Sequence, residues 1–239
     1  MFGLFWGDWS ILILIPGMLF ALWAQLRVKS TFDKYSRVAT RNGMTAAEAV
    51  RRLLDANGLS DVRIERVAGH LTDHYDPRTR VLRLSESVHD GRNTAAVGVA
   101  CHEAGHAIQH AVHYAPLEAR MAIIPVCNVG SSLAMPLFIL GLLLGGGAGV
   151  AGSFGDTLML AGILFFSLAV LFQLITLPVE FNASRRAMEG MRDAHLLSTT
   201  EMEGARSVLS AAAMTYVAAL ASALLSLLRL ILIANHRRR

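Results

Sequence analysis

Charge is scarce in this chain. Of its 239 residues 17% are Asp, Glu, Lys or Arg, against 54% hydrophobic, and mean hydropathy is +0.45. A soluble domain has nearer a quarter of its residues charged, so a wholly water-facing protein is excluded. Cysteine is almost missing. Cys101 and Cys127 are the two, which gives no disulfide framework and fits a reducing compartment. Cys101 adjoins a histidine of the chain's main motif, so it reads as a redox switch or, more simply, as a small buried residue. Nucleic-acid motifs are missing as well. The net charge of +4 and the basic stretch His236-Arg237-Arg238-Arg239 are accounted for by contact with a membrane surface. No lysine or arginine occurs in Met1–Trp9, where a cleaved signal peptide would carry one; an uncleaved anchor is expected.

What the chain has instead is apolar runs. Ser10–Leu26 is the first, with Trp6, Trp9 and Trp23 near its ends as interfacial anchors, and Pro16 is expected to bend it. Arg27, Lys29, Lys34, Arg37 and Arg41 follow, which under the positive-inside rule puts the N-terminus outside and the next polar region in the cytoplasm. Met121–Leu144 is a second span, its regularity expected to break at Pro125 and Pro136. Gly145–Asp156 is glycine-rich and lacks a basic residue, as an outside connection should. Leu158–Leu177 then returns the chain to the cytoplasm. Thr199–Ser210 reads as a polar helix. Val208–Leu228 is a fourth membrane helix, either crossing against the charge rule or packing without crossing. Three to four spans result.

The polar region, Arg27–Arg120, alternates helix and strand signals. Met44–Asp55 is an amphipathic helix capped by Thr45 and ended at Asn57-Gly58. Val62–Val67 and Val81–Ser85 alternate like half-buried strands, with a turn at Asp76-Pro77-Arg78-Thr79. The strand before the next helix either offers an exposed edge to an extended peptide or closes a small core as an ordinary hairpin.

That next helix carries His102-Glu103-Ala104-Gly105-His106, the pattern H-E-x-x-H. It lies in a small, apolar stretch with Asn93 or Thr94 as N-cap, as a buried helix of roughly five turns would. On a helix, His102 and His106 sit one turn apart on the same face and can share one metal ion. A catalytic zinc has three protein ligands and an open position, and Glu103 is placed to move protons there. His110 continues the spacing, but three ligands on one straight helix would spread over roughly 12 Å, too far for bonds of about 2 Å. His74, beside Asp73 and Asp76, is either a substrate contact or a structural histidine.

The third ligand must come from elsewhere. Glu180 follows the third apolar run directly, in Leu177-Pro178-Val179-Glu180-Phe181-Asn182-Ala183-Ser184-Arg185-Arg186. An unpaired carboxylate is expensive in such a setting; a metal relieves it, and so does pairing with Arg185 or Arg186. A reaction that develops an oxyanion needs a further donor. His74, Tyr75, Arg185 and Arg186 are the candidates, and the sequence does not choose among them.

These residues resemble a known family. His102-Glu103-Ala104-Gly105-His106-Ala107-Ile108-Gln109, Leu71-Thr72-Asp73-His74-Tyr75-Asp76-Pro77 and Glu180-Phe181-Asn182-Ala183-Ser184-Arg185-Arg186-Ala187 are similar to the YugP-type membrane zinc metallopeptidases of bacteria. The resemblance covers nearly the whole chain. It implies Zn2+ held by His102, His106 and Glu180, with Glu103 as general base, in a bacterial cell (inner) membrane. A more distant similarity is to the HtpX-type and CAAX-processing membrane peptidases. Their glutamate-x-x-alanine-aspartate pattern has Ser184 here in the aspartate place, so a carboxylate behind a zinc histidine does not carry over.

The expected fold is mainly α and integral to the membrane, with three to four transmembrane helices and a small α+β zincin-like cytoplasmic domain inserted between the first and second. The divisions are an N-terminal transmembrane anchor (1–26), the cytoplasmic domain with the H-E-x-x-H helix (27–120), a transmembrane hairpin (121–178), a cytoplasmic segment with Glu180 (179–210), and a C-terminal membrane helix with a basic tail (211–239). The expected function is a zinc-dependent endopeptidase acting at the cytoplasmic face on peptides or membrane proteins, with the lipid bilayer as its other partner and no nucleic acid. The alternative is a zinc-binding membrane scaffold with little proteolysis. A transporter is disfavoured, because the spans carry almost no ionisable residues.

Overall fold

The structure, a computed structural model, describes residues 9–69, 72–145 and 153–237, with the backbone alone for 236 and 237. Trp6, His70, Leu71, the middle of the glycine-rich connection and the last two arginines lie outside the described residues. A 3-10 turn, Trp9–Ile13, leads into α1 (Leu14–Tyr35). There follow α2 (Ala46–Ala56), β1 (Arg63–Val67), β2 (His74–Asp76), β3 (Val81–Ser85), α3 (Glu86–His89), α4 (Thr94–Ala111), α5 (Ala115–Leu143), α6 (Phe154–Asp193) and α7 (Thr199–Arg237). The fold is thus mainly helical with one small sheet. Among the described residues four helices, α1 with its leading turn, α5, α6 and α7, are long and apolar enough to cross a membrane.

Prolines interrupt these helices less than expected. Pro16 falls in the first turn of α1, directly after the 3-10 turn, and α1 continues beyond it to Tyr35. Pro125 and Pro136 lie within an unbroken α5, and Pro178 within an unbroken α6. The third apolar run therefore does not end its helix before Glu180, which sits on α6 itself. The polar Thr199–Ser210 stretch and the last apolar run likewise form one helix, α7.

The chain divides into two compact units. One comprises residues 24–118 and 177–215. In it α2 is fixed locally: the Thr45 side chain accepts from the Glu48 N–H, and the Glu48 carboxylate accepts from the Thr45 N–H, a complete capping box. Its apolar side, Ala49, Val50, Leu53 and Leu54, is buried. Gly58, at φ +72°, lets the chain leave the helix at a left-handed turn. Leu82 and Leu84 of β3 and Met191 of α6 join Leu53 and Leu54 in one core. Each such fully buried side chain contributes about 1.5–3 kcal/mol. Glu201, buried, accepts from the backbone N–H groups of Arg41 and Ser198, both at 2.7 Å, and so ties the start of α7 to the loop before α2.

The sheet has the order β1-β3-β2, with β1 parallel and β2 antiparallel to β3. The strand that precedes the motif helix is therefore central rather than an edge, in line with its buried Val81, Leu82 and Leu84. The edge beside the motif is β2, three residues long, paired His74 to Arg83, Tyr75 to Leu82 and Asp76 to Val81.

The second unit comprises the described residues of 1–23, 119–176 and 216–239. It is helical, and small residues bring its helices together. A Cβ on Gly162 would meet the Ala134 carbonyl oxygen at 2.7 Å, the close approach typical of helices packed in lipid. Leu133, Ile139, Leu140, Leu160, Leu164 and Leu171 are exposed, a surface that suits hydrocarbon rather than water.

Candidate metal centre

The site lies within the first unit, on α4 and on the stretch of α6 after residue 177. Asn93 caps α4 by accepting the Ala96 N–H, and most of the helix is then buried. His102 and His106 stand one turn apart, ring centroids 4.9 Å from each other and nearly perpendicular. The two helices meet at Gly105, where a Cβ would collide with the backbone of Ala183. This close approach delivers Glu180, which is 2% exposed, to the histidine pair.

Glu180 Oε2 lies 3.3 Å from His102 Nε2 and 3.6 Å from His106 Nε2. One ligand atom from each of the three falls within 4.8 Å of the others. Bonds of about 2.0–2.1 Å in a tetrahedral zinc site separate ligand atoms by about 3.3–3.4 Å, so the two distances to Glu180 are close to those of such a site. Two imidazoles and a carboxylate are also a donor set that suits zinc. The residues present fit the ion.

The far side of each ring is held. His102 Nδ1 is 3.1 Å from Ser184 Oγ, and His106 Nδ1 is 3.0 Å from Gln109 Oε1. Gln109, fully buried, donates through Nε2 to the Val179 carbonyl at 2.8 Å and to Asn182 Oδ1 at 2.9 Å. Arg186 Nε donates to the same Asn182 oxygen at 2.8 Å. For His106, removal from water favours the neutral ring, but the bond to Glu180 and the charges of Glu103 and Glu180 outweigh it and hold its pKa above the ordinary imidazole value.

Glu103 is partly buried beside the pair. The loss of water around it pushes its carboxyl above the usual range, against the pull of His102 and His106. The Tyr75 backbone N–H donates to Glu103 Oε2 at 3.1 Å. That N–H lies on the outer edge of β2, where the Glu103 carboxylate takes it. The Tyr75 hydroxyl is 3.0 Å from His110 Nδ1, which gives His110 a role in holding Tyr75.

The remaining sequence candidates are dispersed. His74 is exposed and its Nδ1 sits 2.9 Å from the Thr72 carbonyl. Arg185 is exposed. Arg186 turns to Asn182 rather than to Glu180. Cys101 is fully buried and its thiol is pushed up to about 12 by burial alone, which suits packing and not redox chemistry. Sequence reasoning missed Gln109 and Asn182. For Gln109 the available signal was a lone amide in a largely apolar helix, about one turn past the second histidine.

The described residues thus combine four helices long and apolar enough to cross a membrane with a His-His-Glu cluster that could hold a metal ion and a second glutamate beside it. The chain belongs to the family described as "Putative neutral zinc metallopeptidase", whose model matches residues 10–235. It is 49% identical over 223 residues to the protein named "Putative membrane protease YugP" of Bacillus subtilis (strain 168), across 93% of this chain and 95% of that one. The resemblance read from the motifs is thereby borne out. No solved structure matches the chain.

Proposed function

We propose that the protein is a membrane-embedded zinc endopeptidase that cleaves peptides or membrane proteins at the cytoplasmic face of the cell membrane. One observation carries the reading: Nε2 of His102, Nε2 of His106 and Oε2 of Glu180 converge at 3.3 and 3.6 Å next to a partly buried Glu103. Family membership and the name of the Bacillus relative support the same reaction class.

His102, His106 and Glu180 would hold the ion. Zinc there supplies Lewis-acid activation of water and of the peptide carbonyl. Glu103 takes the proton from the attacking water and returns it to the leaving amine; its desolvated surroundings strengthen it as a base. The Tyr75 N–H keeps that carboxylate turned to the site. An extended peptide running along β2 would pass beside Glu103, with the Tyr75 carbonyl as the outward backbone group left to pair with it. Among the oxyanion candidates Tyr75 is favoured, because its backbone touches Glu103 and its hydroxyl is steadied by His110.

The cytoplasmic orientation is supported by Arg27, Lys29, Lys34, Arg37 and Arg41 directly after the first apolar run. The membrane-linked substrate class is supported by the closeness in sequence of Glu180 to the third apolar run. The test is cleavage of a peptide library and of membrane-protein substrates by the detergent-purified chain, beside Glu103→Gln. Zinc-dependent cleavage that vanishes in Glu103→Gln while zinc stays bound is expected. Zinc binding without cleavage by the wild type would make the protein a zinc-binding scaffold instead.

A further inference from the structure

His106 can bind a metal through Nε2 only if its ring proton sits on Nδ1. Imidazole itself does not decide this, since either nitrogen can carry the proton. The partner at His102, the Ser184 hydroxyl, does not decide it either, because a hydroxyl both donates and accepts. The partner at His106 is different.

Gln109 faces two fixed groups. The Val179 carbonyl can only accept, so the atom 2.8 Å from it must be the amide nitrogen of Gln109. Reversing the amide would set two acceptors against each other in a buried site. The Arg186 guanidinium can only donate, so the Asn182 atom 2.8 Å from its Nε is the oxygen. That same oxygen lies 2.9 Å from the Gln109 nitrogen. Both ends thus demand one orientation, and it leaves Gln109 Oε1 facing His106 Nδ1 at 3.0 Å.

We infer that Gln109, held by the Val179 carbonyl and by Asn182 with Arg186 behind it, is a positioning residue that keeps a proton on His106 Nδ1 and so reserves Nε2 for the metal position it shares with Glu180. The inference rests on the metal reading of the site. Accepting the Nδ1–H also makes His106 a more basic ligand. Asn182 contributes only its oxygen, so an aspartate can replace it and a leucine cannot.

The test is zinc affinity of the full-length protein in detergent, by competition with a chromophoric chelator, for the wild type, Gln109→Met, Asn182→Leu, Asn182→Asp and the Gln109→Met/Asn182→Leu double variant. Thermal unfolding of the metal-free proteins checks folding. Gln109→Met is expected to bind zinc roughly 10–100-fold more weakly. Asn182→Leu should also weaken binding, and the double variant should be no weaker than Gln109→Met alone, because the two act in series. Asn182→Asp should bind like the wild type. In the cobalt-loaded wild type the His106 Nδ1–H should appear as a slowly exchanging paramagnetically shifted resonance, and Gln109→Met should lose it to solvent exchange. Should Gln109→Met fail to fold, the contrast between Asn182→Leu and Asn182→Asp carries the test. Wild-type protein that binds no zinc overturns the metal reading and this inference together. Wild-type binding with an unaffected Gln109→Met, or equal losses in Asn182→Leu and Asn182→Asp, overturns this inference alone.

Discussion

Gly105 and Ala183 touch backbone to backbone: a Cβ on Gly105 would come within 3.0 Å of the Ala183 carbonyl carbon and 3.1 Å of its Cα. A glycine one residue before His106 thereby sets how near the helix bearing Glu180 can come.

Gly105→Ala should therefore push α4 and α6 apart. Overpacking at such a contact costs about 1–3 kcal/mol. Zinc binding should weaken by roughly tenfold or more, since a ligand set tolerates displacement of only about 0.5 Å. Thermal unfolding and chelator competition measure the two effects. Unchanged zinc affinity in a folded Gly105→Ala protein would show that this contact does not set the site.

Glu180→Gln keeps the shape of the side chain and removes its charge. If that carboxylate is the third ligand, the purified variant should carry well under one zinc per chain after dialysis, where the wild type keeps one. Elemental analysis reads this directly. Full occupancy in the variant would remove Glu180 from the ligand set.

Much of this was legible before the structure, for local reasons. The Thr45 capping box and the Val81–Ser85 strand are written in adjacent residues, and His102 and His106 declare themselves by helical spacing. Glu180 could be singled out because a carboxylate is expensive beside an apolar run. What the sequence hid is what depends on partners. The strand β2 has three residues and exists through its pairing with β3, so no periodicity announces it. The centrality of β3 follows from that pairing. Pro125 and Pro136 read as breaks, yet α5 continues through them, as α6 does through Pro178 and as apolar membrane-type helices can when neighbouring groups satisfy the freed carbonyls. Gln109 acquires its role only when Val179 and Asn182, some seventy residues away, arrive beside it.

Asp76 should shape the response to acid. The Thr79 hydroxyl, with the Arg78 N–H and the Arg83 guanidinium, holds its carboxyl down at about 2, from an ordinary value of 3.8. A depressed carboxylate contributes stability above its unfolded value, and that stability is lost as pH falls from about 4 to about 2. In detergent, the melting temperature of the wild type should fall more steeply across this window than that of Asp76→Asn. Equal slopes would mean that the turn after β2 is not held by the ionised form.

Cys101 should be silent. With no exposed surface and a thiol held at about 12, it should resist maleimide at neutral pH in the folded protein and react only after denaturation. Labelling read by intact-protein mass spectrometry, on Cys127→Ser so that one thiol remains, checks this. Rapid modification in the native state would reopen a redox role.

The central claim is that one zinc ion is held by two imidazoles and a carboxylate, His102, His106 and Glu180. X-ray absorption at the zinc edge of the purified, zinc-loaded protein tests it most directly. Two imidazole nitrogens and oxygen ligands at about 2.0–2.1 Å are expected, with one imidazole lost in His106→Ala. A sulfur-coordinated zinc, or a spectrum that His106→Ala leaves unchanged, would contradict it.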